Sequence, residues 1–204
     1  MRFAASFRAM SVGIATASFL FAGSLLAQQQ KKYDLIGVNA RLEHTINSKT
    51  AMPGEVVVAK LDHAARTPEG VDLPKDTELV GKVVRAGASR NGGPSSITIA
   101  FHEARLKDGK EVPVKVVILG AYPADEHALA EYGDQTMGPA PRHISSQEQV
   151  VQEPGLLSHV AMRSAVHSHN SGTFTRKKGD FSLVEGTFFQ IGIAPRAWDH
   201  QQQS

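Results

Sequence analysis

The feature that most constrains this chain is a series of short runs with period-two alternation, separated by turn signals about every 8 to 15 residues. Glycine, proline, asparagine or aspartate ends each run, as between strands of a hairpin. The runs are VNARLEHTI (38–46), AMPGEVVVAKLD (51–62), TELVGKVVRA (77–86), ITIAFHEARL (97–106), EVPVKVVILG (111–120) and GTFTRKKGDFSLVEGTFFQIGIAP (172–195). Short, evenly spaced strands predict an all-β fold, a small barrel or a sandwich.

Residues 121–172 differ from the rest, because they mix proline, glycine, glutamine and charge without a sustained period. Within them, 153–169 places four apolar residues around one broad face, which is compatible with a short helix. A segment of this length without regular structure is usually an excursion from a compact domain. We therefore expect a long irregular insertion, partly helical, before the last hairpin.

The N-terminal 27 residues have the pattern of a secretory signal peptide. Arg2 and Arg8 precede an apolar run that ends in small residues at SLLA, before Gln28. An uncleaved single-span anchor is the alternative interpretation. Cleavage predicts a periplasmic or secreted protein that keeps no stable membrane span. The remaining parts are then an N-terminal tail (28–37), a single β domain (38–195) and a polar C-terminal tail (196–204).

Charge and cysteine content exclude several functional classes. Of the 22 Lys and Arg, two lie in the predicted signal peptide, which leaves 20 to balance 20 Asp and Glu. With no net charge and no clustered basic face, nucleic acid is not expected as a partner. The absence of cysteine excludes thiol catalysis, disulfides and thiolate metal sites.

Histidine offers the one pattern that suggests a metal or catalytic site. His167 and His169 are two residues apart, so they would share a face if the segment were a strand, and His159 precedes them. No carboxylate completes a recognised ligand pattern, and the hydrolase signatures G-x-S-x-G, H-E-x-x-H and S-x-x-K are missing. We therefore expect no catalytic residue, no metal and no cofactor. A secreted hydrolase or metal-dependent enzyme using these three histidines is the alternative.

A brief basic cluster, TRKKGD (175–180), falls where a hairpin turn is expected. Such a cluster usually keeps an exposed turn soluble. Contact with an anionic surface is the alternative interpretation.

The stretch LPKDTELVGKVV (73–84) is a turn followed by a strand that carries Gly81 in its middle. Alternation places Gly81 on the same face as Leu79 and Val83. A glycine there predicts a bulge or a tight bend, which a small barrel needs in order to close. MPGEVVVAKL (52–61) and LVEGTFFQIGI (183–193) also place a two-residue turn before a strand. Either β proteins reuse this turn, or these strands enter one barrel from the same end.

These turns resemble those in the C-terminal β-barrel domain of the TrbI-like conjugal-transfer proteins, the channel scaffold of type IV secretion core complexes. The resemblance covers about 38–120 and 172–195, and its motifs are turn signals. Eight residues carry it as structural motif positions: Leu73, Pro74, Thr77, Gly81, Asp108, Gly109, Gly186 and Thr187.

The chain departs from the family pattern in three ways. Asp76 replaces the usual glycine, and aspartate tolerates the left-handed region that this turn requires. The family's membrane helix and proline-rich stretch are absent, and 121–172 shows no pair of amphipathic helices of the kind that forms the family's pore. The resemblance therefore implies a shared barrel and not a shared channel function.

These observations together predict an exported, non-enzymatic barrel that acts as a binding or scaffold module of the cell envelope, related to secretion or conjugation machinery. Strand edges and loops would present its contact surface. The expected partner is an envelope protein or a second copy of the chain.

Overall fold

The computed structural model describes residues 32–124 and 142–195, and these residues form strands joined by turns, with no helix among them. The strands are β1 (Lys32–Leu42), β2 (Ile46–Asn47), β3 (Val56–Leu61), β4 (Ala65–Arg66), β5 (Asp72–Leu73), β6 (Glu78–Gly87), β7 (Ser95–Arg105), β8 (Glu111–Pro113), β9 (Lys115–Tyr122), β10 (Arg142–Gln147), β11 (Gln149–Leu157), β12 (Val160–Ala165), β13 (Gly172–Arg176), β14 (Ser182–Leu183) and β15 (Phe188–Ala194). The predicted all-β class is confirmed.

Eleven strands form one antiparallel sheet that curls into a nearly closed barrel. Its order is β11-β12-β13-β7-β6-β3-β1-β15-β9, with β10 added to the first half of β1 and β8 added to β7. Two small ladders, β2 with β14 and β4 with β5, lie outside this sheet. The architecture is therefore the small barrel of the two predicted alternatives.

Hydrogen bonds made mainly by side chains, in place of a continuous strand ladder, join the two ends of the sheet along a line that we call the seam. The amide of Gln152 on β11 accepts from the Ala121 N–H and donates to the Ala121 carbonyl, both at 2.7 Å, as a facing strand would. Nearby, the Ser164 hydroxyl donates to the Ile118 carbonyl at 2.6 Å, and the Ile118 N–H donates to the Ser171 carbonyl at 2.8 Å. These contacts satisfy buried backbone groups of β9 that would otherwise lack partners.

The core lies inside the barrel and is built from every second residue of the strands. Phe174 and Phe189 face each other across it with ring centroids 5.9 Å apart, and Phe101 meets Phe189 edge-on at 6.5 Å. Each fully buried aromatic or branched side chain contributes about 1.5–3 kcal/mol. This interior supplies most of the driving force for a fold without disulfides.

The turn before β6 contains the first group of motif residues. Asp76 has φ 65°, the left-handed conformation that glycine usually provides. Buried Thr77 donates from its hydroxyl to the Pro74 carbonyl at 2.7 Å. The Asp76 N–H donates to the Leu61 carbonyl and the Leu61 N–H to the Thr77 carbonyl, so the turn also caps β3.

The turn before β15 repeats this arrangement with different residues. Gly186 has φ 80°, the Thr187 hydroxyl donates to the Val184 carbonyl at 2.6 Å, and the turn makes the same two backbone bonds to Leu42 at the end of β1. Strands β3 and β15 both run antiparallel to β1, whereas β6 runs antiparallel to β3. The interpretation that all three turn-led strands enter from one end is therefore wrong, because β6 enters from the other.

Gly81 lies at a bulge, where the pairing of β6 with β7 shifts by one residue between Val80 and Gly81. A Cβ on Gly81 would overlap the Ala100 carbonyl and lie 2.8 Å from the Phe101 Cα. Only glycine lets the two backbones approach this closely.

The Asp108–Gly109 motif forms the tight turn between β7 and β8. Gly109 has φ 81° and donates its N–H to the Leu106 carbonyl, while the Asp108 carboxylate accepts from the Lys110 N–H at 2.9 Å. The turn is therefore closed by contacts within five consecutive residues.

Two boundaries drawn from the sequence need correction. The predicted N-terminal tail (28–37) includes the start of β1 at Lys32, which pairs with β10 and β15. The predicted irregular insertion (121–172) contains β10, β11 and β12, and the helix considered for 153–169 is wrong. Val160 and Met162 alternate into the core as strand residues, and Arg163, next along the strand, is exposed. Residues 1–27 and 196–204 lie outside the described residues.

Candidate functional site

The structure separates the three histidines that the sequence suggested as metal ligands. His159 lies in the turn before β12, whereas His167 and His169 follow the end of that strand. The six residues of β12 separate His159 from the other two by about 20 Å at 3.3 Å per residue. Within 32–124 and 142–195, no three potential ligands gather into a metal site.

His167 instead belongs to a cluster with Glu148 and Tyr33. Its backbone N–H donates to the Glu148 carboxylate at 3.3 Å, and its ring Nε2 lies 3.7 Å from the other carboxylate oxygen. The Tyr33 ring meets the His167 ring edge-on with centroids 4.8 Å apart. The Glu148 carbonyl also accepts from the Val166 N–H at 2.8 Å, which fixes the β10–β11 junction against the end of β12.

Electrostatics in this cluster acts mainly on the tyrosine. A hydrogen bond to the Glu148 carboxylate, followed by burial and the repulsion between that carboxylate and a phenolate, raises the pKa of Tyr33 above its ordinary value of 10. The phenol therefore stays protonated and holds the first strand in place. Sequence reasoning missed this cluster, because Tyr33 lies more than a hundred residues before Glu148 and the three residues match no motif.

The outer face of β3 and β6 exposes apolar side chains at one end of the barrel. Val56, at the start of β3, is 66 % exposed, and Val84 on β6 is 40 % exposed. Val56 pairs with Lys82, so Val84 is its diagonal neighbour on the same face. Met52, in the turn that leads into β3, is 71 % exposed. We call these three residues the β3–β6 apolar patch.

Two exposed cations border this patch. Lys82 lies directly opposite Val56, and Arg85 follows Val84 on β6. Neither forms an ion pair with another described residue, in contrast to Arg41 and Lys60 on the same sheet, which pair with carboxylates at 2.9 and 2.6 Å. The patch therefore combines exposed apolar surface with uncompensated positive charge.

Strand β10 supplies a second feature of interest. It pairs with β1 on one side, and no other described strand pairs with it. The backbone groups along such an edge can accept a further strand. In the described ranges, no helix reaches the length and apolarity that crossing a bilayer requires.

Comparison with known proteins identifies no family. No family model matches the chain, and no curated protein matches it either. Among solved structures, the chain is similar to ComB10 of the Com type IV secretion system of Helicobacter pylori, with 16 % identity and a TM-score of 0.36 over 79 % of this chain and 86 % of that one. A similarity of this size does not establish a common function.

Proposed function

We propose that this chain is an exported, non-enzymatic barrel module of the cell envelope that binds another envelope protein within secretion or conjugation machinery. The observation that carries the proposal is the β3–β6 apolar patch, because a soluble surface gains nothing from grouping Met52, Val56 and Val84 at these exposures. The signal-like pattern of residues 1–27 and the TrbI-like turn motifs support the location and the type of assembly.

The charges around the patch indicate what kind of partner it binds. Lys82 and Arg85 would face like charges if two copies met through this surface about a two-fold axis, which is unfavourable. They complement a partner whose apolar contact is bordered by carboxylates. We therefore assign the patch to a different protein with an acidic rim, and not to self-association.

The rest of the barrel fits a scaffold role. Its interior is filled by side chains such as Phe174 and Phe189, so binding takes place on the outside. The turns before β6 and β15 are closed by hydrogen bonds within four residues, which gives a rigid frame. A preorganised surface loses little conformational entropy on binding.

Site-specific photo-crosslinking from position 56 in intact envelopes tests this function. We expect one discrete crosslinked envelope protein. With the crosslinking residue moved to position 84, Val56→Glu should reduce the yield of that crosslinked product at least about tenfold, because a buried carboxylate opposes the apolar contact. Val184→Glu is the matched control, since Val184 is also exposed but lies outside the patch.

Three outcomes would contradict the proposal. Equal loss with both variants would show a general effect on folding or export. Crosslinks to a second copy alone would replace the partner by self-association. No crosslink above background would remove the patch as a binding surface.

A further inference from the structure

A recess of about 450 Å³ opens at one end of the barrel, beside the turn between β11 and β12. Among the residues that the structure describes, its lining contains His159, Arg176, Lys177 and Lys178. Arg176 ends β13 and pairs with Val160, so the β11–β12 turn and the loop after β13 face each other across the recess. Each of these four described residues carries a nitrogen donor, and three carry a full positive charge.

These cations are not neutralised within the described part of the chain. None of the three forms an ion pair there, and Lys177 and Lys178 are exposed. The carboxylate of Asp180, two residues further on, accepts instead from the Ser48 hydroxyl at 3.2 Å and the Ser89 N–H at 2.7 Å. The Asp180 carbonyl accepts from Arg176 at 3.1 Å, which fixes the guanidinium and leaves its other donors available.

The turn that carries His159 is strained. Leu157 pairs with Val160, so Ser158 and His159 form a two-residue hairpin turn, and their φ angles are 40° and 69°. Turns of this type favour asparagine and glycine, because other side chains crowd the backbone in the left-handed region. A histidine is thus held in a strained conformation at the edge of the recess, where its imidazole is a further nitrogen donor.

We propose that this recess binds the phosphate group of a phosphate ester. A guanidinium fork, two ammonium groups and an imidazole donor match the several oxygens and the high charge of a phosphate better than a single carboxylate. The volume exceeds what a bare phosphate ion needs and falls in the range of small-ligand sites, so part of the esterified group enters as well. The ester is a soluble phosphomonoester or a phospholipid head group.

This site is independent of the protein-binding function proposed above. The β3–β6 apolar patch and the recess share no residue, so a substitution in one removes no side chain of the other. An experiment on the recess therefore does not depend on the identity of any protein partner.

The test uses the full chain and two probes. Glycerol 1-phosphate is titrated into isotope-labelled protein while the amide signals of His159, Arg176, Lys177 and Lys178 are followed. In parallel, flotation is measured with phosphatidylcholine vesicles with and without phosphatidylglycerol. We expect saturable shifts of these signals in the first assay, dependence on phosphatidylglycerol in the second, or both, and the responding assay identifies the source of the phosphate.

Variants distinguish a specific phosphate site from non-specific attraction of the phosphate to positive charge on the protein surface. Lys177→Ala combined with Lys178→Ala should weaken binding at least about tenfold, because two charge-assisted contacts are removed. His159→Asn keeps a residue suited to the left-handed turn but removes the imidazole, and should weaken binding without loss of thermal stability. Lys75→Ala combined with Lys110→Ala is the matched control, since these lysines lie beyond the far end of the 11-residue strand β7, about 33 Å away.

The expected result is loss of binding in the first two variants and binding equal to that of the unchanged protein in the control. Equal loss in the control would overturn the proposal in favour of non-specific attraction. Failure of both probes to bind the unchanged protein would also overturn it.

Discussion

Replacing Gly81 by alanine is expected to destabilise the barrel strongly. The added Cβ would overlap the Ala100 carbonyl and lie 2.8 Å from the Phe101 Cα and 2.9 Å from the Ala100 carbonyl carbon. Ordinary contact begins at 3.4 Å, so the Phe101 Cα would have to move by about 0.6 Å, and the Ala100 carbonyl oxygen, which is nearer, by still more. All three atoms belong to the backbone, and no side-chain rotation relieves the clash.

The magnitude follows from two contributions. Overpacking a well-packed position costs about 1–3 kcal/mol. Moving β7 also weakens at least one ladder hydrogen bond between β6 and β7, at about 1 kcal/mol. The free energy of unfolding should therefore fall by about 2–4 kcal/mol, which lowers the urea midpoint by about 1–2 M for a slope near 2 kcal/mol/M.

Gly87→Ala provides the control for this measurement. Gly87 lies on the same strand, but the only tight contact of a Cβ there would be the Ser96 hydroxyl, at 3.1 Å, which can rotate away, while the Ser96 backbone nitrogen at 4.0 Å is at ordinary contact distance. We expect a change within about 0.5 kcal/mol. If Gly81→Ala and Gly87→Ala unfold at the same urea concentration, the explanation of Gly81 as a close-approach position is wrong.

Two further predictions concern the barrel seam and the N-terminal strand. Gln152→Ala should lower the free energy of unfolding by about 2–3 kcal/mol and speed amide exchange at Ala121, because the buried N–H and carbonyl of Ala121 lose their partner. Gln149→Ala on the same strand is the control and should change little. Slow exchange at Ala121 in the Gln152→Ala variant would contradict this prediction. Because the pKa of Tyr33 is raised in the folded protein, its contribution is fully present below pH 10 and is lost as pH rises through the folded value. The stability difference between the unchanged protein and Tyr33→Phe, measured by urea unfolding, should therefore shift in favour of the variant above pH 10, and a constant difference would refute it.

The sequence was most informative where structure depends on neighbouring residues. The conformations of Asp76, Gly109 and Gly186 follow from turn chemistry, because the bonds that close these turns join residues three or four apart. Period-two alternation likewise marked most of the long core strands, since apolar side chains at every second position must share a face. Such signals require no knowledge of what packs against them.

The sequence was least informative about residues 142–169, which pair with distant parts of the chain. Strands β10, β11 and β12 contain glutamine, serine and arginine where core strands contain valine and isoleucine, so their alternation is weak. Gln152 bonds a residue 31 positions away, and its role is visible only when β9 lies beside it. The same holds for His167, which the sequence grouped with His159 but which contacts Glu148 and Tyr33 in the structure.

The sequence alone therefore determined the β class, the positions of the turns outside residues 142–169 and the need for glycine at position 81. Each depends on local conformational preference or on the alternation of side chains along one strand. Tertiary structure alone decided that the sheet closes into a barrel, that side chains form its seam, and that basic and apolar residues gather at particular surfaces. These features depend on which distant strands become neighbours, and that choice is made by the packing of the whole core and not by any one segment.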